Sequence, residues 1–156
     1  MRLVAAAIPG LRHVLCIPLR MVNAPSVQDV PTGSGLVLVV DDEDMVRTAM
    51  VMQLEDLGYT PIPAGDVETA ESAYRAHHAD LIAVLLDVVM PKASGVDVAA
   101  RLRGIDPLVP IIMISGFPRN AVVTQLLDQG AAGFLQKPFR QAELAQAIAR
   151  LRRSTG

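Results

Sequence analysis

Four acidic residues follow an apolar run in the first half of the chain. Residues 36–40 read LVLVV, and Asp41, Asp42, Glu43 and Asp44 come next. Carboxylates this close together repel one another, and partial burial adds to the cost. The run is therefore either a solvated acidic turn or part of a site for a cation. Clustered carboxylate oxygens suit Mg²⁺ or Mn²⁺, and a backbone carbonyl at a strand end can add a further ligand.

Three more polar residues stand at the ends of later apolar runs. Asp87 follows LIAVLL, Ser115 ends IIMIS, and Lys137 follows AGFLQ. An Asp carboxylate can attack phosphorus, and the resulting acyl phosphate needs cation, ammonium and hydroxyl partners for its oxygens. Each residue alone is an ordinary loop, turn or surface residue, but together they supply that whole set. The chain has twelve Arg and only two Lys, so a compact Lys charge at this position departs from its usual choice.

The elements that position these residues alternate between strand and helix. Apolar runs predict strands at 36–40, 59–63, 81–86, 111–115 and 132–136. Apolar residues at helical spacing predict helices over 44–57, from 66, from 94, over about 119–129, and after 139. Such alternation predicts parallel βαβ units, whose sites lie at the carboxyl ends of the strands. The acidic, hydroxyl and ammonium groups should therefore share one rim of the sheet.

Composition limits the classes of protein that this chain can be. Its 156 residues suit one domain with a sizeable core. The net charge of −2 argues against a general nucleic-acid binder or a polybasic membrane-surface protein. The single cysteine, Cys16, rules out an internal disulfide and fits a reducing compartment. No apolar run reaches the roughly 20 residues that span a bilayer.

Residues 1–35 differ from the rest of the chain. They contain four prolines, scattered arginines and no sustained hydrophobic period. The apolar stretch after Arg2 resembles a poor signal peptide, because Pro9 and later breaks interrupt it. We therefore expect residues 1–35 to be a flexible leader or linker and residues 36–153 to form the domain.

The segments VVDDED, LLDVVMPKASG, IMISG and LQKPF together resemble the receiver domain of two-component response regulators, over about residues 36–153. The resemblance implies an α/β, flavodoxin-like, doubly wound five-stranded parallel sheet with strand order 2-1-3-4-5 and five helices. It implies that Asp87 accepts a phosphoryl group. It also implies that Asp42, Asp87 and the carbonyl of Val89 bind Mg²⁺, or Mn²⁺, while Asp41 contacts the ion through water.

The same resemblance implies roles for four residues at later strand ends. Ser115 and Lys137 would each contact a phosphoryl oxygen, and Phe134 would be an aromatic switch that follows Ser115. The peptide bond before Pro138 would be cis. Implied partners are a histidine kinase or histidine phosphotransfer protein, and a second copy bound through helix 4, strand 5 and helix 5. No direct nucleic-acid binding or membrane span is expected, and the expected location is cytoplasmic.

Several positions depart from the commonest pattern of that family. Ser115 stands where Thr is more frequent, and Phe134 stands where Tyr is frequent. Val89 is apolar and cannot orient an attacking water, which favours slow dephosphorylation. Lys92 and Ala93 occupy a turn where Gly-Met is common.

Three other interpretations are open on the sequence. A haloacid-dehalogenase-type phosphatase also uses a strand-end Asp and Mg²⁺, but it needs a second Asp where this chain has Val89. A Rossmann nucleotide-binding protein fits worse, because Gly33 and Gly35 precede the first strand and the following turn is acidic. The third is a receiver-fold interaction module that works without phosphorylation. As a receiver, the domain would stand alone or end a hybrid kinase.

Overall fold

The computed structural model describes residues 30–91 and 94–154 and shows one parallel sheet between two layers of helices. Its strands are β1 (Leu36–Val40), β2 (Thr60–Ala64), β3 (Leu81–Asp87), β4 (Ile111–Ser115) and β5 (Gly133–Gln136). Its helices are α1 (Asp44–Asp56), α2 (Val67–His77), α3 (Gly95–Ile105), α4 (Ala121–Asp128) and α5 (Gln141–Ser154). The strand order is β2-β1-β3-β4-β5, which confirms the predicted flavodoxin-like topology.

Two apolar clusters hold the helices on the sheet, one on each face. The side chains that alternate along the strands enter opposite clusters, as the pleat requires. The cluster under α2, α3 and α4 includes Leu38, Tyr74, Leu86, Leu102 and Leu126. The cluster under α1 and α5 includes Met50, Leu54, Leu85, Ile112 and Ile148. Strands β3 and β4 are buried along almost their whole length, so the sequence prediction of strands covered on both faces is confirmed.

Side-chain caps set where three of the helices begin. The Asp66 side chain accepts a hydrogen bond from the backbone of Thr69 before α2, as predicted for this cap. The Ser94 side chain caps α3 in the same way, so that helix begins one residue later than predicted. The Asn120 side chain accepts from the backbone N–H of Val123. Helix α4 is therefore shorter than the predicted range of 119–129.

The segment just before β1 packs against the turn between α1 and β2. Val30 lies against the α1 and α5 cluster, and the Gly33 N–H donates to the Leu57 carbonyl. A Cβ on Gly33 would stand 2.3 Å from the hydroxyl oxygen of Tyr59, so only glycine fits beneath that ring. Residues 30–35, which the sequence assigned to a leader, thus contact the domain. The remainder of that predicted leader lies outside the described residues.

None of the helices in the described part of the chain is long and apolar enough to cross a membrane.

Candidate functional site

The carboxyl ends of β1, β3 and β4 bury three polar side chains at one rim of the sheet. Asp41 is 0 % exposed, Ser115 is 1 % exposed and Asp87 is 7 % exposed. The adjacent parallel strands bring these ends together, since Leu86 and Asp87 pair with Met113 and Ile114 of β4. The rim predicted from the sequence is therefore formed.

Lys137 joins two of the carboxylates from the far side of the rim. It follows β5, and the bond between Lys137 and Pro138 is cis, as expected. The Lys137 ammonium donates to Asp41 Oδ2 at 2.9 Å and to Asp87 Oδ2 at 2.7 Å. The Lys137 side chain is about one-fifth exposed, and its two carboxylate partners are buried, so these ion pairs are shielded from bulk water. One lysine thus neutralises part of the repulsion between two buried carboxylates.

Burial and pairing shift the pKa values of this cluster in consistent directions. Burial raises the pKa of the Asp87 carboxyl, because the loss of water outweighs the hydrogen bond from Lys137, and the nearby Asp41 charge adds to the rise. Burial alone would lower the pKa of Lys137, but the hydrogen bonds to Asp87 and Asp41 raise it overall. The sharing of one ammonium by two carboxylates contributes to both rises: the excess negative charge disfavours ionised Asp87 and favours protonated Lys137.

Backbone groups fix the remaining polar atoms of the rim. Asp87 Oδ1 accepts from the Val89 N–H at 2.9 Å, so each carboxylate oxygen of Asp87 has a donor. Ser115 Oγ accepts from the Phe117 N–H at 3.1 Å. That bond occupies one lone pair of the Ser115 oxygen and leaves its O–H free to donate to an incoming oxygen.

The predicted metal ligands are only partly gathered. Asp41 and Asp87 converge on Lys137, whereas Asp42 is half-exposed, and no described residue donates a hydrogen bond to the Asp42 side chain. Within 30–91 and 94–154, no group of three His, Cys, Asp or Glu side chains is arranged to hold a metal ion. The donor chemistry still suits Mg²⁺, which commonly takes one or two carboxylates and fills its other positions with water.

Two residues that the sequence reasoning missed shape this rim. The Arg47 guanidinium donates to the Asp41 carbonyl at 2.5 Å. Gly95 lies against the end of β3, where a Cβ would stand 2.4 Å from the Asp87 carbonyl oxygen. The sequence places Arg47 about one helical turn after the acidic run, but nothing else in it predicts the contact with the Asp41 carbonyl. The glycine could have been suspected, since the first residue of a helix has no general need of one.

Phe134 lies on β5, half-buried, and packs against the cluster under α2, α3 and α4. A groove of about 560 Å³ runs between β5 and α5 beside it. Phe134, Phe139, Gln146 and Ala147 are among the residues that line this groove. The predicted switch residue therefore lies at a surface cleft, three residues before Lys137 in the sequence.

Comparison with known proteins identifies the family of this domain. Residues 37–149 match the response regulator receiver domain family. The autoinducer 1 sensor kinase/phosphatase LuxN of Vibrio campbellii is 36% identical over 118 residues, covering 74% of this chain and 13% of that protein. The transcriptional regulatory protein PdtaR of Mycobacterium tuberculosis is 33% identical over 113 residues, covering 72% of this chain and 54% of that protein. The chain thus spans about half of one relative and a small part of the other.

A solved structure shows the same likeness in three dimensions. The CheX-CheY-BeF3-Mg²⁺ complex from Borrelia burgdorferi contains a chain that aligns with a TM-score of 0.68 at 30% identity, covering 73% of this chain and 86% of that one. Since the family match covers most of the chain and the fold agrees with it, this chain belongs to the response regulator receiver domains of two-component signalling systems.

Proposed function

We propose that Asp87 accepts a phosphoryl group from a histidine kinase or a histidine phosphotransfer protein. Asp87 Oδ forms a bond to phosphorus while the bond from phosphorus to the donor nitrogen breaks, and the imidazole leaves with the electron pair. The observation that carries the proposal is the Lys137 ammonium, which holds the buried carboxylates of Asp41 and Asp87 together. A buried carboxylate with a raised pKa and an adjacent cation suits a nucleophile better than a structural role.

The neighbours of Asp87 are suited to hold the product. Lys137 can turn from Asp87 Oδ2 to a phosphoryl oxygen, because both positions lie within reach of one flexible side chain. The free O–H of Ser115 can donate to a second phosphoryl oxygen. Together they stabilise the charge that develops on the transferred group.

Mg²⁺ would be held by Asp42, Asp87 and the Val89 carbonyl, with Asp41 in contact through water. When bound, the ion would neutralise charge on the transferred group. The ion would share the carboxylates of Asp41 and Asp87 with Lys137, whose ammonium already donates to Oδ2 of each. An ionised carboxylate has enough lone pairs to bind both partners.

The Borrelia complex contains BeF3 and Mg²⁺, which supports a matching metal-dependent site in this chain. The likeness to a sensor kinase and to a transcriptional regulator supports a role in a phosphorelay without saying which protein supplies the phosphoryl group. We further infer that phosphorylation repositions Phe134 through Ser115. The groove between β5 and α5 would then change shape, either for a partner or for a second copy of the domain.

Hydrolysis of the phosphorylated form should be slow. The Val89 side chain is 53% exposed beside Asp87, and it is apolar. It can neither accept a proton from a water nor hold that water in line for attack. The same position argues against a phosphatase, which needs an acid or base there.

Intact-mass measurement after incubation with acetyl phosphate, or with a small phosphoramidate, and Mg²⁺ tests the proposal. Wild type should gain one phosphoryl group, and Asp87→Asn should gain none. Asp80→Asn, at an exposed turn residue, should behave as wild type. Equal modification of Asp87→Asn and wild type would refute the assignment.

A further inference from the structure

Arg47 lies between the acidic rim and the neighbouring strand end, although it is part of α1. Its side chain is 19% exposed. One guanidinium nitrogen donates to the Asp41 carbonyl at 2.5 Å, and the other pairs with the Asp44 carboxylate. The guanidinium thus links Asp41, just after β1, to Asp44 in the first turn of α1. A guanidinium can make both bonds at once because its donors point in fixed directions.

Gly65 leaves the space that this guanidinium occupies. A Cβ at Gly65 would stand 3.2 Å from the Arg47 Nη1 atom and 3.5 Å from its Cζ atom. Gly65 is not among the glycines with a positive φ, so its backbone would accept an alanine. Glycine at this position therefore provides room for the Arg47 side chain, and the backbone conformation does not require it.

Asp41 is held at four points. Its backbone N–H donates to the Ala64 carbonyl of β2 at 3.2 Å, and its own carbonyl accepts from Arg47. Its Oδ1 accepts from the Glu43 N–H at 2.9 Å, and its Oδ2 accepts from Lys137. These bonds fix the turn that carries Asp42 between them. Arg47 is the described donor to the Asp41 carbonyl, and the peptide unit of that carbonyl leads directly into Asp42.

We propose that Arg47 is a positioning residue for the acidic turn, holding Asp41 and Asp42 in the arrangement that takes a divalent cation, while Gly65 leaves space for its guanidinium. The inference rests on the function proposed above. Arg47 touches neither the acceptor carboxylate nor the transferred group. It acts through the Asp41 carbonyl, as residues behind metal ligands commonly do.

The proposal predicts that metal affinity falls when the Arg47 guanidinium is removed, whereas a simple charge effect predicts that it rises. A guanidinium beside a cation site repels the cation, so its removal should tighten metal binding if charge alone mattered. If positioning dominates, its removal should weaken metal binding, typically by about tenfold. The direction of the change in affinity therefore separates the two roles.

Four variants of the full chain test this. Arg47→Met keeps the packing of the stem and removes the donors. Arg47→Lys keeps the charge but lacks the fork, and Gly65→Ala displaces the guanidinium without removing it. Arg75→Met is the matched control, because Arg75 is also a helical arginine paired with an acid and is 62% exposed far along the chain from the rim.

Two readouts are measured well below each variant's unfolding midpoint. Mg²⁺ affinity by calorimetry should fall about tenfold in Arg47→Met and by a smaller factor in Gly65→Ala, and Arg47→Lys should not restore it. Without metal, the amide ¹⁵N resonance of Asp42 should move in the same three variants, because it follows the Asp41 carbonyl directly. Arg75→Met should change neither.

Tighter Mg²⁺ binding in Arg47→Met would overturn the positioning role in favour of charge. Full recovery of the affinity in Arg47→Lys would overturn the requirement for the guanidinium fork. An unmoved Asp42 resonance in Arg47→Met would overturn the positioning role as well. Failure of the proposed function looks different, because wild type itself would then gain no phosphoryl group at Asp87. The affinity and resonance readouts do not depend on that transfer.

Discussion

Replacing Lys137 by Met removes the ammonium that Asp41 and Asp87 share and keeps a side chain of similar length. The two Oδ2 atoms lie 2.9 and 2.7 Å from the Lys137 nitrogen, so they can be no more than about 5.6 Å apart. Two full charges at that distance repel by ~3 kcal/mol with an effective dielectric near 20, and in the variant no ammonium offsets this repulsion. The free energy of unfolding at pH 7 should therefore fall, because the attraction of the ammonium for both carboxylates is lost.

Proton uptake limits how large this loss can become. A carboxyl with an ordinary pKa near 4 can be held neutral at pH 7 for ~4 kcal/mol, since each pH unit corresponds to 1.36 kcal/mol. Once the repulsion approached that value, Asp87 would bind a proton and the repulsion would end. We therefore expect a loss of ~3–4 kcal/mol, which agrees with the usual cost of removing one partner of a buried ion pair.

The loss should depend on pH in a defined direction. The pKa of Asp87 is already raised by burial, and in Lys137→Met it should rise further. A raised carboxyl pKa favours the neutral form in the folded state, so the penalty is present at neutral pH. It is relieved as pH falls through the folded pKa toward the ordinary value of 3.8. The gap between wild type and variant should narrow from pH 7 to pH 5.

At high pH, the difference in stability between wild type and Lys137→Met depends on the charge of Lys137. The folded pKa of Lys137 is raised above 10.5, so its stabilising contribution is complete below that pH. The contribution is lost as pH rises through the folded value. Wild type should therefore lose its advantage over Lys137→Met at high pH as well as at low pH.

Urea unfolding followed by circular dichroism measures these free energies. Arg140→Met is the control, because the Arg140 side chain is 85% exposed and pairs with Glu143 at 3.7 Å; its effect should stay within ~0.5 kcal/mol. Adding Asp87→Asn to Lys137→Met should recover most of the loss. A loss below ~1 kcal/mol, or one that Asp87→Asn leaves in place, would refute the account of the cluster.

Three other changes have expected outcomes. Gly95→Ala should lower the free energy of unfolding by ~2–3 kcal/mol and slow phosphorylation, because its Cβ would stand 2.4 Å from the Asp87 carbonyl; unchanged urea midpoints would contradict this. A chain that begins at residue 36 should unfold cooperatively but be ~1–2 kcal/mol less stable than one that begins at Val30, whose side chain packs against the core; equal thermal midpoints would show that residues 30–35 contribute nothing. Tyr74→Phe should cost ~1 kcal/mol, because the Tyr74 hydroxyl donates to Asp106 at 3.0 Å, and a neutral result in urea would show that this bond is replaced by water.

The strand ends were predictable from the sequence because parallel strands that alternate with helices must share one carboxyl edge. That rule alone predicts one rim for Asp41, Asp87, Ser115 and Lys137. It could not say which acid would be buried. The structure buries Asp41, whose side chain accepts from Lys137, and leaves Asp42 half-exposed.

Contacts between separate helices, strands and loops could not be predicted from the sequence. The bond from Arg47 to the Asp41 carbonyl depends on the distance between α1 and the ends of β1 and β2, which no periodicity encodes. The docking of Gly33 beneath Tyr59 likewise joins segments that are separated by a helix. The sequence predicts a linker at that glycine, because a glycine is equally compatible with a flexible segment and with close packing.

The central claim is that Asp87 is the residue that receives the phosphoryl group. After incubation with acetyl phosphate and Mg²⁺, borohydride reduction converts a phosphorylated Asp into homoserine, which peptide mass spectrometry can locate. The account predicts homoserine at position 87 in wild type and none in a sample treated without the phosphodonor. Homoserine at Asp41, Asp42 or another acid, with Asp87 unmodified, would contradict it.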